Sequence, residues 1–164
     1  MEASPSEEGL TKRVIMLSNE TYMREALALA KQAFAENEVP VGAVIVKDGE
    51  IIGRGYNHVE QDRDPTAHAE IIAIREAAAV LGGWRLTGCD LYVTKEPCSM
   101  CAGTIVMSRI TRLIFGAADE KMGYAVTLNN TVHDSRLNHM VEVKSGVLAE
   151  DSVVLLKEFF AARR

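Results

Sequence analysis

The stretch VGAVIVKDGEIIGRGY, residues 41–56, decides how the predicted fold begins. Two runs that are rich in β-branched residues, 41–46 and 51–56, are joined by Lys47-Asp48-Gly49-Glu50. An Asp-Gly pair between two such runs is a strong signal for a hairpin. We therefore expect two antiparallel strands here.

Helices and further strands alternate on both sides of this hairpin. On the N-terminal side, Asn19 offers a cap for a helix whose apolar residues recur at three- and four-residue steps and which Pro40 ends. On the C-terminal side, Thr66 caps a second predicted helix, and Gly82-Gly83 stops it. The other predicted elements are strands at 91–94, 113–115 and 141–143, a helix from Pro97 to about residue 107, and a last helix over 152–164. This order predicts an α/β fold, in which a mixed sheet with parallel members has helices on both faces.

The length and composition are those of one globular domain. The chain has 164 residues, of which 48% are hydrophobic and 25% charged. Residues 1–18 are polar and show no sustained period, so we expect a flexible N-terminal extension before a domain at 19–164. The net charge of −5 does not favour nonspecific coating of nucleic acid, so any such contact must be local.

Targeting signals and cysteine usage narrow the cellular context. The apolar runs are far shorter than the roughly 18 residues of a membrane span, so we expect no membrane partner. The acidic N-terminus lacks the features of a secretory signal, which favours a cytoplasmic protein. An odd number of cysteines, three, argues against a disulfide framework. Metal binding or thiol chemistry remains for the close pair Cys98 and Cys101, whereas Cys89 lies apart in the sequence.

Two short segments carry the chemistry that the sequence predicts: His68-Ala69-Glu70, and PCSMC at residues 97–101. One histidine and two cysteines make a three-ligand zinc set, which leaves the fourth tetrahedral position for water and is typical of catalytic sites. Glu70, two residues after His68, suits a proton shuttle, because zinc lowers the pKa of its bound water to about 7.

Other interpretations of these segments stay open. A His-x-Glu pattern is common by chance, and Cys-x-x-Cys is also found in redox pairs and as half of a four-ligand structural zinc site. The spare residues that could supply a fourth ligand are Cys89, His58, His133 and His139. A non-enzymatic zinc or redox module is therefore a rival of a different class.

The combination of segments resembles a known family. His-Ala-Glu followed by Pro-Cys-x-x-Cys after one helix and one strand matches the signature of the zinc nucleobase deaminases. From about residue 20 to 164 the chain resembles the bacterial tRNA-specific adenosine deaminases. The matching stretches are VPVGA (39–43), DPTAHAE (64–70), EPCSMCAG (96–103), Asn138-His139 and FFAARR (159–164).

This resemblance implies a three-layer α/β/α, cytidine deaminase-like fold on a five-stranded mixed sheet. It implies a homodimer that binds a tRNA anticodon loop, with one zinc ion per chain. The implied site residues are His68, Cys98 and Cys101 as zinc ligands, Glu70 as proton shuttle, Asn57 and the backbone of Ala69 as contacts of the target nucleotide, and Asp119 near the flanking nucleotide.

The implied activity is hydrolytic deamination of adenosine to inosine at the wobble position of a tRNA anticodon by a zinc-activated water. Two departures from the family pattern favour an alternative substrate. Lys95 stands where the relatives usually carry an apolar residue, and residues 123–128 replace a smaller, glycine- and serine-rich loop. The alternative is a zinc-dependent deaminase of a free nucleobase or nucleoside, such as guanine, cytosine or a related azine.

Overall fold

The computed structural model describes residues 17–163, and strands and helices alternate through that part of the chain. Its strands are β1 (Gly42–Lys47), β2 (Glu50–Tyr56), β3 (Cys89–Lys95), β4 (Arg112–Ala117) and β5 (Glu142–Lys144). Its helices are α1 (Asn19–Ala35), α2 (Val59–Asp62), α3 (Ala69–Leu81), α4 (Ser99–Met107) and α5 (Ala149–Ala161), with a 3₁₀ turn at Thr131–His133. This turn lies in the long segment between β4 and β5.

The five strands form one mixed sheet in the order β2-β1-β3-β4-β5. β1 pairs antiparallel with β2 and β3, whereas β3, β4 and β5 are parallel. The predicted hairpin is confirmed, and its turn residues Asp48 and Gly49 have φ angles of 49° and 79°. Positive φ at both positions matches the right-handed twist of the strands.

Helices cover both faces of the sheet, as the sequence predicts. Alternate residues of β3 point to opposite faces: Leu91 packs in the core beneath α3 and α4, and Tyr92 packs in the core beneath α1 and α5. Both cores are apolar and buried. The three-layer α/β/α prediction is therefore confirmed.

Several predicted element ends are wrong by a few residues. Ser18, not Asn19, caps α1 by accepting a hydrogen bond from the Thr21 amide at 3.2 Å. Asn19 instead accepts a hydrogen bond from the Tyr92 hydroxyl at 2.7 Å. The helix ends at Ala35 rather than at Pro40, because Asn37 already has a left-handed φ of 63°.

The starts of α3 and α4 also lie later than predicted. The Thr66 amide and hydroxyl both donate to Asp64 Oδ1, which forms a turn instead of a helix cap. His68 caps α3 and Cys98 caps α4, so each helix begins directly after a predicted zinc ligand. The predicted stop at Gly82 is confirmed by its φ of 70°.

The remaining boundaries differ slightly from the predictions. β3 and β4 are longer than predicted, and β5 lies one residue later. α5 begins and ends three residues earlier than the predicted helix over 152–164. The predicted flexible extension at 1–18 lies outside the described residues, except for Leu17 and Ser18. Among the described helices, none combines the length and apolar character that crossing a bilayer requires.

Two glycines of β2 allow α3 to lie directly on the sheet. A Cβ atom at Gly55 would collide with the Ala69 carbonyl oxygen and approach the Ala73 nitrogen to 2.8 Å. A Cβ atom at Gly53 would collide with the Ala73 carbonyl oxygen in the same way. The missing side chains therefore fix how close the start of α3, and with it His68, lies to the sheet.

Candidate active site

The three predicted metal ligands converge at the starts of two helices. The Nδ1 atom of His68 lies 3.6 Å from the sulfur of Cys98 and 3.6 Å from the sulfur of Cys101. His68 and Cys98 are the N-caps of α3 and α4, and Cys101 lies in the first turn of α4. The positive ends of both helix dipoles therefore face the cluster and favour negatively charged sulfur.

The separations within the cluster fit zinc. With Zn–N near 2.0–2.1 Å and Zn–S near 2.3 Å, tetrahedral coordination separates a nitrogen from a sulfur by about 3.6 Å. The ligand atoms of His68, Cys98 and Cys101 all lie within 4.8 Å of one another. The donor set and its spacing thus suit one zinc ion with three protein ligands.

Of the four spare residues, His133 and His139 contact backbone carbonyl groups, His58 has its Nδ1 atom 3.8 Å from Asp62 Oδ1, and Cys89 is buried in the core. His133 Nδ1 lies 2.8 Å from the Val141 carbonyl oxygen, and His139 Nε2 lies 2.8 Å from the Ile110 carbonyl oxygen. Cys89 is fully buried in the apolar core, where burial raises the pKa of its thiol. Within residues 17–163, the metal-binding cluster therefore contains no fourth protein ligand, as a catalytic rather than a structural zinc site requires.

The two cysteines differ in their affinity for protons. Hydrogen bonds from Cys101 and then from His68 lower the pKa of Cys98 to about 4. The pKa of Cys101 is raised, because its thiol hydrogen bonds to Cys98 and because it is buried. Cys98 is therefore a thiolate at neutral pH, which is the form that binds a metal.

Glu70 lies beside the cluster and is almost completely buried, with 4% of its surface exposed. Burial raises the pKa of its carboxyl group above the ordinary value, and hydrogen bonding to Cys101 acts in the opposite direction. Its side chain lines the same cavity as His68 and Cys98. A carboxyl group in this position is suited to exchange protons with a molecule in the cavity.

Asn57 and Ala69 are joined by a hydrogen bond. The Ala69 amide donates to Asn57 Oδ1 at 2.9 Å, and this fixes the orientation of the carboxamide. Asn57 lines the cavity, whereas Ala69 is fully buried. The amide NH₂ group of Asn57 has no protein partner within the described part of the chain, which leaves it to donate to a ligand.

The cavity that these residues surround has a volume of about 270 Å³. Its lining also includes apolar side chains from the segment after α1 and from α5, among them Val39 and Phe160. Glu38, which is 1% exposed, also lines the cavity and accepts a hydrogen bond from the Glu60 amide at 2.6 Å. Glu38 thus ties the start of α2 to the cavity wall.

Asp119 and Lys95 form an ion pair at the edge of the cavity. Lys95 Nζ lies 2.9 Å from Asp119 Oδ2, while the amides of Lys121 and Met122 donate to Oδ1 at 3.0 and 3.2 Å. Burial by itself would raise the pKa of Asp119, but the bond to Lys95 and the backbone amides lower it. Asp119 is therefore a carboxylate whose orientation is fixed.

Sequence reasoning missed Glu96, which organises residues 118–127, here called the cavity loop. Its side chain is 3% exposed and accepts hydrogen bonds from the Asp119, Ala125, Val126 and Thr127 amides and from the Thr127 hydroxyl. Burial would raise the pKa of Glu96, but these hydrogen bonds lower it. The only sequence signal was a charged residue directly before Pro97-Cys98.

Gly123 is part of the same arrangement. A Cβ atom at Gly123 would lie 2.5 Å from the Glu96 carboxyl carbon and 2.5 Å from the Asp119 carbonyl oxygen. The cavity loop therefore closes around Glu96 only because position 123 lacks a side chain. Through Glu96, this loop is joined to the segment that carries Cys98.

Comparison with known proteins agrees with this geometry. Residues 16–117 match the family model of the cytidine and deoxycytidylate deaminase zinc-binding region. The chain is 49% identical over 149 residues to the tRNA-specific adenosine deaminase of Bacillus subtilis (strain 168), covering 91% of this chain and 92% of that protein. It is 49% identical over 148 residues to the tRNA-specific adenosine deaminase of Aquifex aeolicus (strain VF5), covering 90% and 97%.

Solved structures share the fold. A structure from a study of A-to-I editing by tRNA:A34 deaminases superposes with a TM-score of 0.80 at 43% identity, covering 83% of this chain and 99% of that one. A guanine deaminase from Nitrosomonas europaea superposes with a TM-score of 0.78 at 26% identity, covering 89% and 86%.

Proposed function

Because this chain belongs to the tRNA-specific adenosine deaminase family of zinc-binding deaminases, we propose that it converts adenosine to inosine at the wobble position of a tRNA anticodon. The reaction is a hydrolysis, in which water replaces the exocyclic amine and ammonia leaves. One observation carries the proposal: two members of the three-ligand cluster, His68 and Cys98, line one cavity together with the buried carboxyl group of Glu70.

Each residue of the cluster has a defined task in this reaction. His68, Cys98 and Cys101 would hold zinc, which when bound supplies a Lewis acid that activates water for attack on C6 of adenine. Glu70 takes a proton from the attacking water and donates one to N1 of the ring. It then takes the second proton of that water from the hydroxyl now bound to C6 and delivers it to the departing amine, which leaves as ammonia, so that the carboxylate of Glu70 is restored.

The substrate contacts come from Asn57 and Asp119. Asn57 donates from its amide NH₂ to the target nucleotide, and the Ala69 amide holds that side chain in place. Direct contact of the Ala69 backbone with the base stays a prediction. Asp119 lines the cavity, which supports its proposed position near the flanking nucleotide.

A single-stranded substrate fits this arrangement. The reacting carbon of adenine is out of reach while the base is stacked in a helix, so the base must leave the stack and enter the cavity. A volume of about 270 Å³ is large enough for one base. An anticodon loop presents such bases.

The alternative function, deamination of a free base or nucleoside, has the same chemistry. A likeness in fold to the Nitrosomonas europaea guanine deaminase supports it, but the identity to that protein is 26%, against 43% to the tRNA:A34 deaminase structure. The tRNA substrate is therefore the better supported.

A substrate panel tests the proposal. Ammonia release is measured for an anticodon stem-loop with adenosine at the wobble position, for the same stem-loop with guanosine there, and for free adenosine, guanine and cytosine. We expect turnover with the adenosine stem-loop and inosine in the digested product. Turnover of a free base together with silence on RNA would establish the alternative function instead.

We also propose that two copies of the chain form the active protein. An apolar groove of about 890 Å³ lies on the outer side of α3 and α4 and is lined by residues that include Trp84 and Met107. These two side chains are 54% and 70% exposed, which is unusual for large apolar residues on a monomer. Light scattering on the wild type and on Met107→Glu tests this, and the variant should shift to the monomer mass.

The proposed location is the cytoplasm. It follows from the substrate, because tRNA anticodons pair with messenger RNA codons there during translation. Fractionation of cells that produce the tagged protein would test it, and we expect the protein in the fraction that holds tRNA.

A further inference from the structure

A wide groove continues from the edge of the catalytic cavity. It has a volume of about 820 Å³ and shares Lys95, Asp119, Met122 and Phe160 with the cavity, so the two form one continuous depression. Residues of α5 and of the cavity loop form its other walls. We call the wide groove, without the catalytic cavity, the basic groove.

The basic groove concentrates positive charge on an acidic protein. Its lining includes Lys95, Lys121, Lys157 and Arg163 and a single acidic residue, Asp119. The whole chain has a net charge of −5. A local excess of cations beside a cavity for one base is suited to the phosphates of a single-stranded nucleic acid.

Lys95 occupies a special place among these cations. Of the lysines and arginines in the part of the chain that the structure describes, it alone lines both the catalytic cavity and the basic groove. Its side chain is 29% exposed, whereas that of its partner Asp119 is 11% exposed. The ammonium group therefore lies at the boundary between the catalytic cavity and the basic groove.

The ion pair leaves donors of Lys95 unused. An ammonium group has three donors, and its contact with Asp119 Oδ2 at 2.9 Å engages one of them at most. Asp119 itself is held by two backbone amides of the cavity loop through Oδ1. Asp119 thus keeps the ammonium group at the cavity edge, and the remaining donors of Lys95 can bind a ligand.

We infer that Lys95 binds a backbone phosphate adjacent to the nucleotide in the cavity and so helps to select a polynucleotide over a free base. This inference rests on the proposed function. Because a phosphate is absent from a base and from a nucleoside, contact with Lys95 favours only substrates that carry one. Lys95 is therefore a specificity-determining residue, and Asp119 is the residue that positions it.

A cycle that alters the protein and the RNA in turn tests the contact. The stem-loop is made with an uncharged methylphosphonate at the phosphate on the 5′ side or on the 3′ side of the target adenosine. Both RNAs and the natural one are assayed with the wild type and with Lys95→Met. Lys31→Met is the control, because Lys31 is exposed on α1 and lines none of the described cavities.

The effects of Lys95→Met and of the methylphosphonate on KM should not be additive. We expect Lys95→Met to raise the KM for the natural stem-loop about tenfold, as loss of a hydrogen bond between charged groups predicts, with kcat little changed. At one of the two positions, methylphosphonate should raise the KM of the wild type by a similar factor. It should not raise the KM of Lys95→Met any further. The slope of log(kcat/KM) against log salt is negative, and its magnitude should be smaller by about 0.7 in the variant. Lys31→Met should behave as the wild type.

The modified RNA also separates binding from the masking of a negative charge. If Lys95 only neutralises Asp119, its loss should leave a carboxylate that repels the nearby phosphate, so methylphosphonate should lower the KM of Lys95→Met, and this outcome would overturn the inference. Additive losses at both phosphate positions would also overturn it, as would a Lys95→Met effect confined to kcat or zinc content. If the wild type itself forms no inosine in the natural stem-loop, it is the proposed function that fails.

Discussion

The catalytic cavity has two sides that are fixed in different ways. On the metal side, His68, Cys98 and Cys101 lie at the starts of α3 and α4, which pack on the sheet. On the loop side, residues 118–127 have no regular structure and are held by the buried carboxylate of Glu96. The metal side thus inherits its geometry from secondary structure, and the cavity loop inherits its geometry from a set of hydrogen bonds.

This difference separates the chemistry from the choice of substrate. On the metal side, two helices that pack on the sheet hold a few residues of fixed type in place at their N-termini. The reaction depends on these residues. A loop can change its sequence while a central acceptor keeps its backbone in place. We therefore expect variants on the metal side to abolish turnover and variants of the cavity loop to alter substrate binding.

The largest effect should follow loss of a metal ligand. Cys101→Ser removes one of the two sulfur ligands, so we expect zinc content to fall from about one per chain to near zero and turnover to be lost. Zinc is measured by elemental analysis of the purified protein. Cys89→Ser is the matched control, since Cys89 lies in the apolar core, and it should retain zinc. Full activity of Cys101→Ser at normal zinc content would show that the cluster is not the metal site.

Glu70→Ala should come next and should separate the proton shuttle from the metal. The variant keeps all three ligands, so zinc should stay bound while kcat falls by about 10²–10⁴, the usual contribution of a general acid–base group. Glu76→Gln, an exposed position on the same helix, is the control. Inosine formation is followed in a single-turnover assay with zinc measured on the same sample. Substantial turnover by zinc-loaded Glu70→Ala would contradict the assigned role.

Glu96→Gln should have a smaller effect, which we expect on the cavity loop and on substrate binding rather than on the metal side. An NH₂ group would replace an oxygen that accepts from several amide donors, so the cavity loop should loosen. We expect KM for the stem-loop to rise about tenfold, as the loss of one or two such bonds predicts. Zinc content should be unchanged.

Hydrogen exchange supplies the structural readout for this variant. The amides of residues 125–127 should exchange faster in Glu96→Gln than in the wild type, and the amides of α3 should not. Loss of zinc in this variant would mean that Glu96 supports the metal side as well, and the division between the two sides would then be too sharp.

Thr127→Val should have the smallest effect. It removes one hydroxyl donor to Glu96 and leaves the four backbone amides in place. Loss of a single hydrogen bond predicts a cost of about 1 kcal/mol in the free energy of unfolding. Chemical denaturation gives this value, and KM should rise by less than in Glu96→Gln. An equal or larger rise would indicate that the hydroxyl, rather than the amides, fixes the loop.

The zinc ligands were predictable because their chemistry requires particular residue types at short spacings. His68 with Glu70, and Cys98 with Cys101, lie close together in sequence, and each pair falls at a helix start. Local signals also gave the hairpin and the glycine stop of α3. Helix starts were predicted less well, because Thr66 and Asn19 form other hydrogen bonds in the folded chain.

The sequence by itself thus determined the order of strands and helices, the ligand set and the class of reaction, because periodicity and metal chemistry act through neighbouring residues. Only the tertiary structure decided what surrounds the ligands. It brought Lys95 to Asp119 and closed the cavity loop around Glu96, across sequence separations of 24 and up to 31 residues. Such contacts depend on which strand ends meet in the sheet, and the local pattern of residues does not encode them.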